Sequence, residues 1–179
     1  MMTSAPIVIR PIQHGDIPAY WAALDAVARE RRYFTWEQGP PVPGTASFVA
    51  ENIECGNPHV VALDGDHLVG WCDIVRQKRV FAHLGVLGIG IIASHRGRGI
   101  GRQLLASAIG LAWQAGFKRV ELEVYATNLN AIHLYEQFGF RLEGTRRLGA
   151  RLEDDLVDVH GMGLLAPGIG GDEPPRGPV

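Results

Sequence analysis

The chain is poor in the features that mark several classes of protein. Its 179 residues include only two cysteines, Cys55 and Cys72, whose spacing fits neither a metal site nor a disulfide framework. No apolar run approaches the roughly 18 residues of a membrane span. The first residues lack a charged segment followed by an apolar one, so no signal peptide is predicted. We therefore expect a cytoplasmic protein.

Charge of one sign is also lacking, since 17 basic residues face 19 acidic ones and the formal net charge is −2. This balance favours neither nucleic acid nor an anionic membrane as a partner. The seven histidines are scattered along the chain and predict no metal site. Hydrophobic residues make up 46% of the chain, and this proportion is typical of one globular domain with a full core.

The periodicity of apolar residues predicts an α/β fold. A helix begins at Asp16 as its N-cap, with Pro18 in the first turn, and a rigid Gly/Pro-rich loop at 39–44 precedes a second helix at 45–54. Further helices are predicted at 102–115 and 131–138, and strands at 7–10, 59–63, 67–75, 86–92, 119–125 and, as a pair, within 141–165. This order implies a mixed, mostly antiparallel sheet of six to seven strands flanked by about four helices. Residues 1–166 form the predicted domain, and 167–179, with four Gly and four Pro, a disordered tail.

The most informative segment is the glycine-rich turn Arg-Gly-Arg-Gly-Ile-Gly at 96–101, between a predicted strand and a predicted helix. Unpaired backbone N–H groups at a helix N-terminus form a binding site for anions, most often phosphates. The P-loop pattern is absent, because no Gly-Lys followed by Ser or Thr occurs here. Gly88, Gly90 and Ala93 match a dinucleotide fingerprint only formally, since they lie within a strand. A tight strand–helix turn without a ligand is the remaining alternative.

Two separated motifs resemble the GCN5-related N-acetyltransferases (GNAT family). Arg96, Gly99 and Gly101 match the family's Arg/Gln-x-x-Gly-x-Gly motif. The family's second signature, Asn-x-x-Ala, Leu-Tyr-Glu and Gly-Phe, is matched in order and spacing at 128–131, 134–136 and 139–140. The resemblance implies the GNAT fold, whose central strands splay apart.

The resemblance implies acetyl-CoA as co-substrate, and the residues themselves give no reason to expect a metal. The strand ending at Ile91 and Ile92 would pair its main chain with the pantetheine arm. Gly85, Gly88 and Gly90 in this strand suit close ligand approach or packing under an aromatic ring. The other residues expected to bind the cofactor lie in two segments, the glycine-rich turn for the pyrophosphate and the start of the helix predicted at 131–138. They are Arg96, Gly97, Arg98, Gly99, Ile100, Gly101, Arg102, Asn128, Asn130 and Ala131.

Catalytic roles follow from the same resemblance. Tyr135 matches the family's general-acid tyrosine, which protonates the leaving thiolate; packing in the core is its alternative role. Gly85 stands where several members carry a catalytic glutamate, so the base must come from elsewhere. Glu123 matches an acidic position used in a branch that acts on protein N-termini, and His83 is the second candidate.

The acceptor pocket is expected to form from the first helix, the 31–38 loop and the last strands. Its candidate residues are an acid for the ammonium and aromatic rings for the walls, namely Glu30, Tyr33, Phe34, Trp36 and Trp71.

The main hypothesis is acetylation of a small primary amine, such as an amino acid, by direct attack in a ternary complex. Acetylation of a peptide N-terminus or lysine, or an acyl-CoA sensor without turnover, are the alternatives. Homodimers are common in this fold.

Overall fold

A computed structural model describes residues 6–34 and 36–169. The helices are α1 (Ile17–Ala28), α2 (Val42–Glu54), α3 (Ile100–Gln114) and α4 (Leu129–Gln137). The strands are β1 (Val8–Pro11), β2 (His59–Asp64), β3 (His67–Arg76), β4 (Leu84–Ile91), β5 (Arg119–Tyr125), β6 (Arg141–Leu152) and β7 (Asp155–Leu165). The predicted order of elements is confirmed, and the predicted disordered tail lies largely outside the described residues.

The strands form one seven-stranded sheet in the order β1-β2-β3-β4-β5-β7-β6. Every neighbouring pair is antiparallel except β4 and β5, which run parallel. These two strands pair only where 84–86 meets 119–121, whereas β4 stays paired with β3 as far as Ile91. Beyond Val86 the two central strands therefore diverge and leave a wedge in the middle of the sheet.

Helices cover both faces of the sheet. One face packs against α3 and α4 through a core that includes Leu104, Leu122 and Tyr135. The other face packs against α1 and α2 through a core that includes Tyr20, Val49 and Trp71. Alternation along β5 places Val120, Leu122 and Val124 in the first core, as its sequence pattern predicts, so the intervening glutamates face the other side.

Two local predictions need correction. The helix α2 begins at Val42 and not at residue 45, because Pro43 stands in its first turn, where a missing N–H costs nothing. Asp16 occupies the N-cap position of α1, but its side chain makes no capping bond to the helix. It forms a two-pronged ion pair with Arg10 and accepts a hydrogen bond from the backbone N–H of Gln13. Asp16 thus joins β1 to the start of α1.

Candidate active site

A cavity of about 830 Å³ occupies the wedge between β4 and β5. Its volume is within the range of ordinary ligand sites. It runs from the glycine turn before α3, along the splayed part of β4, to the start of α4 and the inner side of β6. The backbone of β4 beyond Val86 has no strand partner on this side, within the part of the chain described. An extended ligand can therefore hydrogen-bond to it as an added strand.

The glycine turn has the backbone shape of an anion site. Gly97 and Gly99 have φ angles of +73° and +75°, a left-handed region in which residues with a Cβ are strained. A Cβ on either residue would meet nothing within 4 Å, so conformation and not crowding requires glycine here. Gly99 is the N-cap of α3 and has no side chain to cap it, so the first helical N–H groups lack a capping side chain at the point where the turn lines the cavity. The turn therefore offers fixed donors at the positive end of a helix.

The three arginines of this region have different partners. Arg96 donates to both carboxylate oxygens of Glu30 at 2.6 and 2.7 Å and to the Ile91 carbonyl at 2.9 Å. Arg98 lies 3.4 Å from a carboxylate oxygen of Asp64. Arg102 lines the cavity and hydrogen-bonds the neutral side chain of Gln137. Of the three, Arg102 is best placed to form an ion pair with an anion in the cavity.

The start of α4 brings the second motif to the same cavity. The Asn128 side-chain oxygen accepts a hydrogen bond from the Ala131 N–H at 3.3 Å and so caps the helix. Asn128, Asn130 and Ala131 all line the cavity, as does Tyr135 one turn later. Tyr135 is 6% exposed, and burial raises the pKa of its hydroxyl, which therefore stays protonated and available as a donor.

Glu123 and Arg146 form a charged pair on the wall of the cavity made by β5 and β6. Two hydrogen bonds join them, one at 2.7 Å, and both side chains are 59% exposed. The Arg146 guanidinium lowers the pKa of Glu123 below its usual range. A carboxylate held in this way remains charged at neutral pH but is a weaker proton acceptor.

Several predicted site residues lie elsewhere. His83 is exposed and precedes β4 at the end where β4 and β5 are still paired, so the structure does not bring it to the cavity. Trp71 is 2% exposed and fills the space over Gly90, so it is a core residue behind the cavity wall. The Glu30 carboxylate is bound to Arg96.

Other predicted residues are only partly placed as expected. Tyr33 and Phe34 line the cavity, whereas Trp36 stacks on the outer side of Phe34. Ile91 lines the cavity, whereas Ile92 does not and packs against both hydrophobic cores. Thr35 lies outside the described residues. Of the four aromatic residues predicted to line the acceptor pocket, two therefore line the cavity, Tyr33 and Phe34.

Sequence reasoning missed Asp73, a carboxylate at the centre of β3. It is 7% exposed, and burial alone raises its pKa to about 7. Its oxygens lie 3.1 and 3.3 Å from the position that a Cβ on Gly88 would take, and Gly88 lines the cavity. A single acidic residue within the apolar run of 67–75 was the available signal.

Asp73 predicts an unusual dependence of stability on pH. Its folded-state pKa is raised above its unfolded value of 3.8, so folding favours the protonated form. Stability should therefore fall as pH rises from 4 to 7 and stay low above that. The shift corresponds to about 4 kcal/mol at most, so Asp73→Asn should stabilise the protein by a few kcal/mol at pH 8. Urea unfolding at both pH values tests this; equal curves for the two proteins at pH 8 would contradict it.

No helix within 6–34 and 36–169 is long and apolar enough to cross a membrane. Within those residues no group of three or more His, Cys, Asp or Glu side chains is placed to hold a metal ion.

Comparison with known proteins gives a family match over residues 21–140, to the model described as "Acetyltransferase (GNAT) family". The chain is 32% identical over 106 residues to the L-amino acid N-acetyltransferase AaaT of Escherichia coli (strain K12), covering 58% of this chain and 64% of that protein. It is 40% identical over 103 residues to the N-alpha-acetyltransferase RimI of Mycobacterium tuberculosis, covering 55% of this chain and 63% of that one. The chain thus spans just under two thirds of each relative.

A solved structure supports the same assignment. The acetyltransferase of the GNAT family from Streptococcus pneumoniae superposes with a TM-score of 0.85 and 27% sequence identity. The superposition covers 90% of this chain and all of that one. The splayed sheet with its flanking helices is therefore a known architecture.

Proposed function

Because the chain belongs to the GNAT family of acetyltransferases, we propose that it transfers the acetyl group of acetyl-CoA to the primary amine of a small molecule, an α-amino acid in particular. One observation carries this proposal: a single cavity joins the glycine turn at the N-terminus of α3 to the splayed edge of β4 and to Tyr135. These three features follow one another along the cavity in the order of the parts of an acyl-CoA. The anion site suits the pyrophosphate, the unpaired edge of β4 suits the pantetheine, and the Tyr135 hydroxyl suits the sulfur.

The residues at the turn bind and orient the co-substrate. The N–H groups from Gly97 to Arg102 hold the pyrophosphate, with Arg102 adding charge, and the β4 backbone aligns the pantetheine. The Asn128 oxygen caps α4, which leaves its amide NH₂ group for the cofactor. Tyr135 donates its hydroxyl proton to the sulfur as the carbon–sulfur bond breaks.

The pair of opposite charges on the cavity wall supports an α-amino acid as the acceptor. A free amino acid carries an ammonium and a carboxylate on one carbon, and these can exchange with the Arg146–Glu123 ion pair. Glu123 then binds the ammonium and Arg146 the carboxylate. A peptide N-terminus or a lysine side chain offers only the ammonium. The α-amine also suits catalysis, because deprotonation at pH 7 costs it about 1 kcal/mol, against about 4–5 for a lysine.

The proposed function is tested by measuring free thiol released from acetyl-CoA with amino acids, their amides, short peptides and lysine side-chain analogues. We expect the free amino acids to give the highest kcat/KM. Turnover of peptides alone would support N-terminal acetylation. The relative from Mycobacterium tuberculosis is named as an N-alpha-acetyltransferase. Binding of acetyl-CoA without thiol release from any amine would support the sensor.

Replacing Arg146 tests the choice of acceptor. Arg146→Gln should raise KM for a free amino acid by about 10- to 100-fold, because a hydrogen bond to a charged group is worth about 1.5–3 kcal/mol. KM for the corresponding amino-acid amide should change little, since it lacks the carboxylate. Arg147→Gln, at the exposed neighbouring position, is the matched control. Equal losses on the acid and the amide would refute carboxylate binding by Arg146.

A further inference from the structure

The buried carboxylate of Asp73 lies directly behind the part of β4 that faces the acceptor. The antiparallel register pairs Asp73 with Gly88 and Trp71 with Gly90, which places both β3 side chains on one face of the sheet. Trp71 fills the space that Gly90 leaves. The Asp73 oxygens stand 3.1 and 3.3 Å from where a Cβ on Gly88 would be. Only the backbone of a glycine therefore separates this carboxylate from the cavity.

The face on which Asp73 lies is the acceptor side of the sheet. Tyr33 and Phe34, which follow α1, line the cavity from this face, and alternation along β5 directs Glu123 to it as well. Tyr135 belongs to the core on the opposite face. On the proposed function, an amine approaching from the acceptor side would enter over Gly88, whereas Tyr135 lines the same cavity from the opposite face of the sheet.

The groups packed around Asp73 give it no stabilising charge. Tyr20 approaches from α1 and His59 is its partner on β2, and both are buried. Burial raises the pKa of Tyr20 and lowers the pKa of His59 to about 4, so both are neutral around pH 7. Cys72, the adjacent residue, is also buried and its pKa is raised. Such isolation is costly for stability, and costly buried acids are concentrated at functional sites.

We propose that Asp73 is the proton acceptor for the acceptor ammonium, reached through a water molecule held over Gly88. The proposal rests on the proposed function and supplies the base that its chemistry requires. Neither Glu123, which Arg146 holds as a weak base, nor the distant His83 meets this requirement. A base whose pKa lies close to the working pH is the most effective, and the pKa of Asp73 is about 7.

The ammonium gives one proton through the water to the Asp73 carboxylate, and the neutral amine attacks the acetyl carbon. When the carbon–sulfur bond breaks, the thiolate takes the Tyr135 proton, and the nitrogen loses its second proton to restore the tyrosine. Asp73 then releases its proton to solvent. The net reaction converts an ammonium and acetyl-CoA to an amide, CoA and one proton.

The test compares wild-type protein with Asp73→Asn across pH 5.5 to 9.5, using two amines of different pKa. Wild-type kcat/KM should show one inflection near pH 7 that stays with the enzyme and a second that moves with the amine. In Asp73→Asn the first inflection should vanish, and kcat/KM at pH 7 should fall by about 10²- to 10³-fold. Affinity for acetyl-CoA should be unchanged.

Gly88→Ala is the second variant, because it keeps the carboxylate and covers it. The new Cβ would crowd the Asp73 oxygens at 3.1 and 3.3 Å and leave no room for a water beside them, so kcat/KM should fall and the inflection near pH 7 should weaken. An Asp73→Asn protein that keeps the wild-type pH profile, or that loses acetyl-CoA binding along with activity, would overturn the proposal. A wild-type protein that acetylates no amine would instead overturn the proposed function.

Discussion

Replacing both Gly97 and Gly99 by alanine is expected to weaken acetyl-CoA binding by roughly 30- to 900-fold. Each glycine has a positive φ angle with open space at the Cβ position, so alanine would fit sterically but would favour another backbone conformation. Holding a non-glycine residue in the left-handed region costs about 1–2 kcal/mol, and a free loop would relax away from it. Ligand binding must then restore the shape at a cost of about 2–4 kcal/mol.

The control for this pair is Gly56→Ala with Gly116→Ala. Both residues have positive φ angles, +65° and +82°, with nothing within 4 Å of a Cβ, and neither lines the wedge cavity. This double variant should lose similar or greater stability but bind acetyl-CoA as wild type does. Calorimetric titration measures both affinities. Equal affinities in the two double variants would show that the turn is not the anion site.

Tyr135→Phe is expected to lower kcat by about 10²- to 10⁴-fold, the usual contribution of a positioned acid. Without the hydroxyl, the thiolate must leave unprotonated or take its proton from water. The ring remains and keeps its contact with Phe140, so folding and acetyl-CoA affinity should be preserved. Because burial raises the pKa of Tyr135, wild-type activity should show no loss from tyrosine ionisation up to about pH 9.

Tyr125→Phe is the matched control, since Tyr125 is also a buried tyrosine that lines the same cavity but lies on β5. Its kcat should stay within a few-fold of wild type. Single-turnover measurement of thiol release separates the chemical step from product release. A Tyr135→Phe protein as fast as Tyr125→Phe would exclude Tyr135 as the acid.

The parts of the site that depend on local sequence could be predicted from the sequence. The glycine turn, the helix that follows it and the Asn128 cap are determined by residues within a few positions of one another. The alternate glycines of β4 also indicated a close approach or packing under an aromatic ring, and the rings are those of Phe117 at Gly85 and Trp71 at Gly90.

The parts that depend on register and long-range pairing could not be predicted. Arg96 binds Glu30 across 66 residues of chain, which removes that acid from the list of free acceptor ligands. Trp71 turns into the core and Asp73 meets Gly88 because of the β3–β4 register, which periodicity does not determine. Arg146 reaches Glu123 where the β6–β7 register shifts between Arg146 and Ala150, an irregularity without a clear signal in the sequence.

We propose above all that the wedge between β4 and β5 holds acetyl-CoA with its pyrophosphate at the N-terminus of α3. A crystal structure of the protein with acetyl-CoA tests this most directly. We expect the pyrophosphate oxygens within hydrogen-bond distance of the N–H groups between Gly97 and Arg102, the pantetheine along β4, and the sulfur beside Tyr135. Acetyl-CoA bound elsewhere, with the wedge left to solvent or closed by side chains, would contradict it.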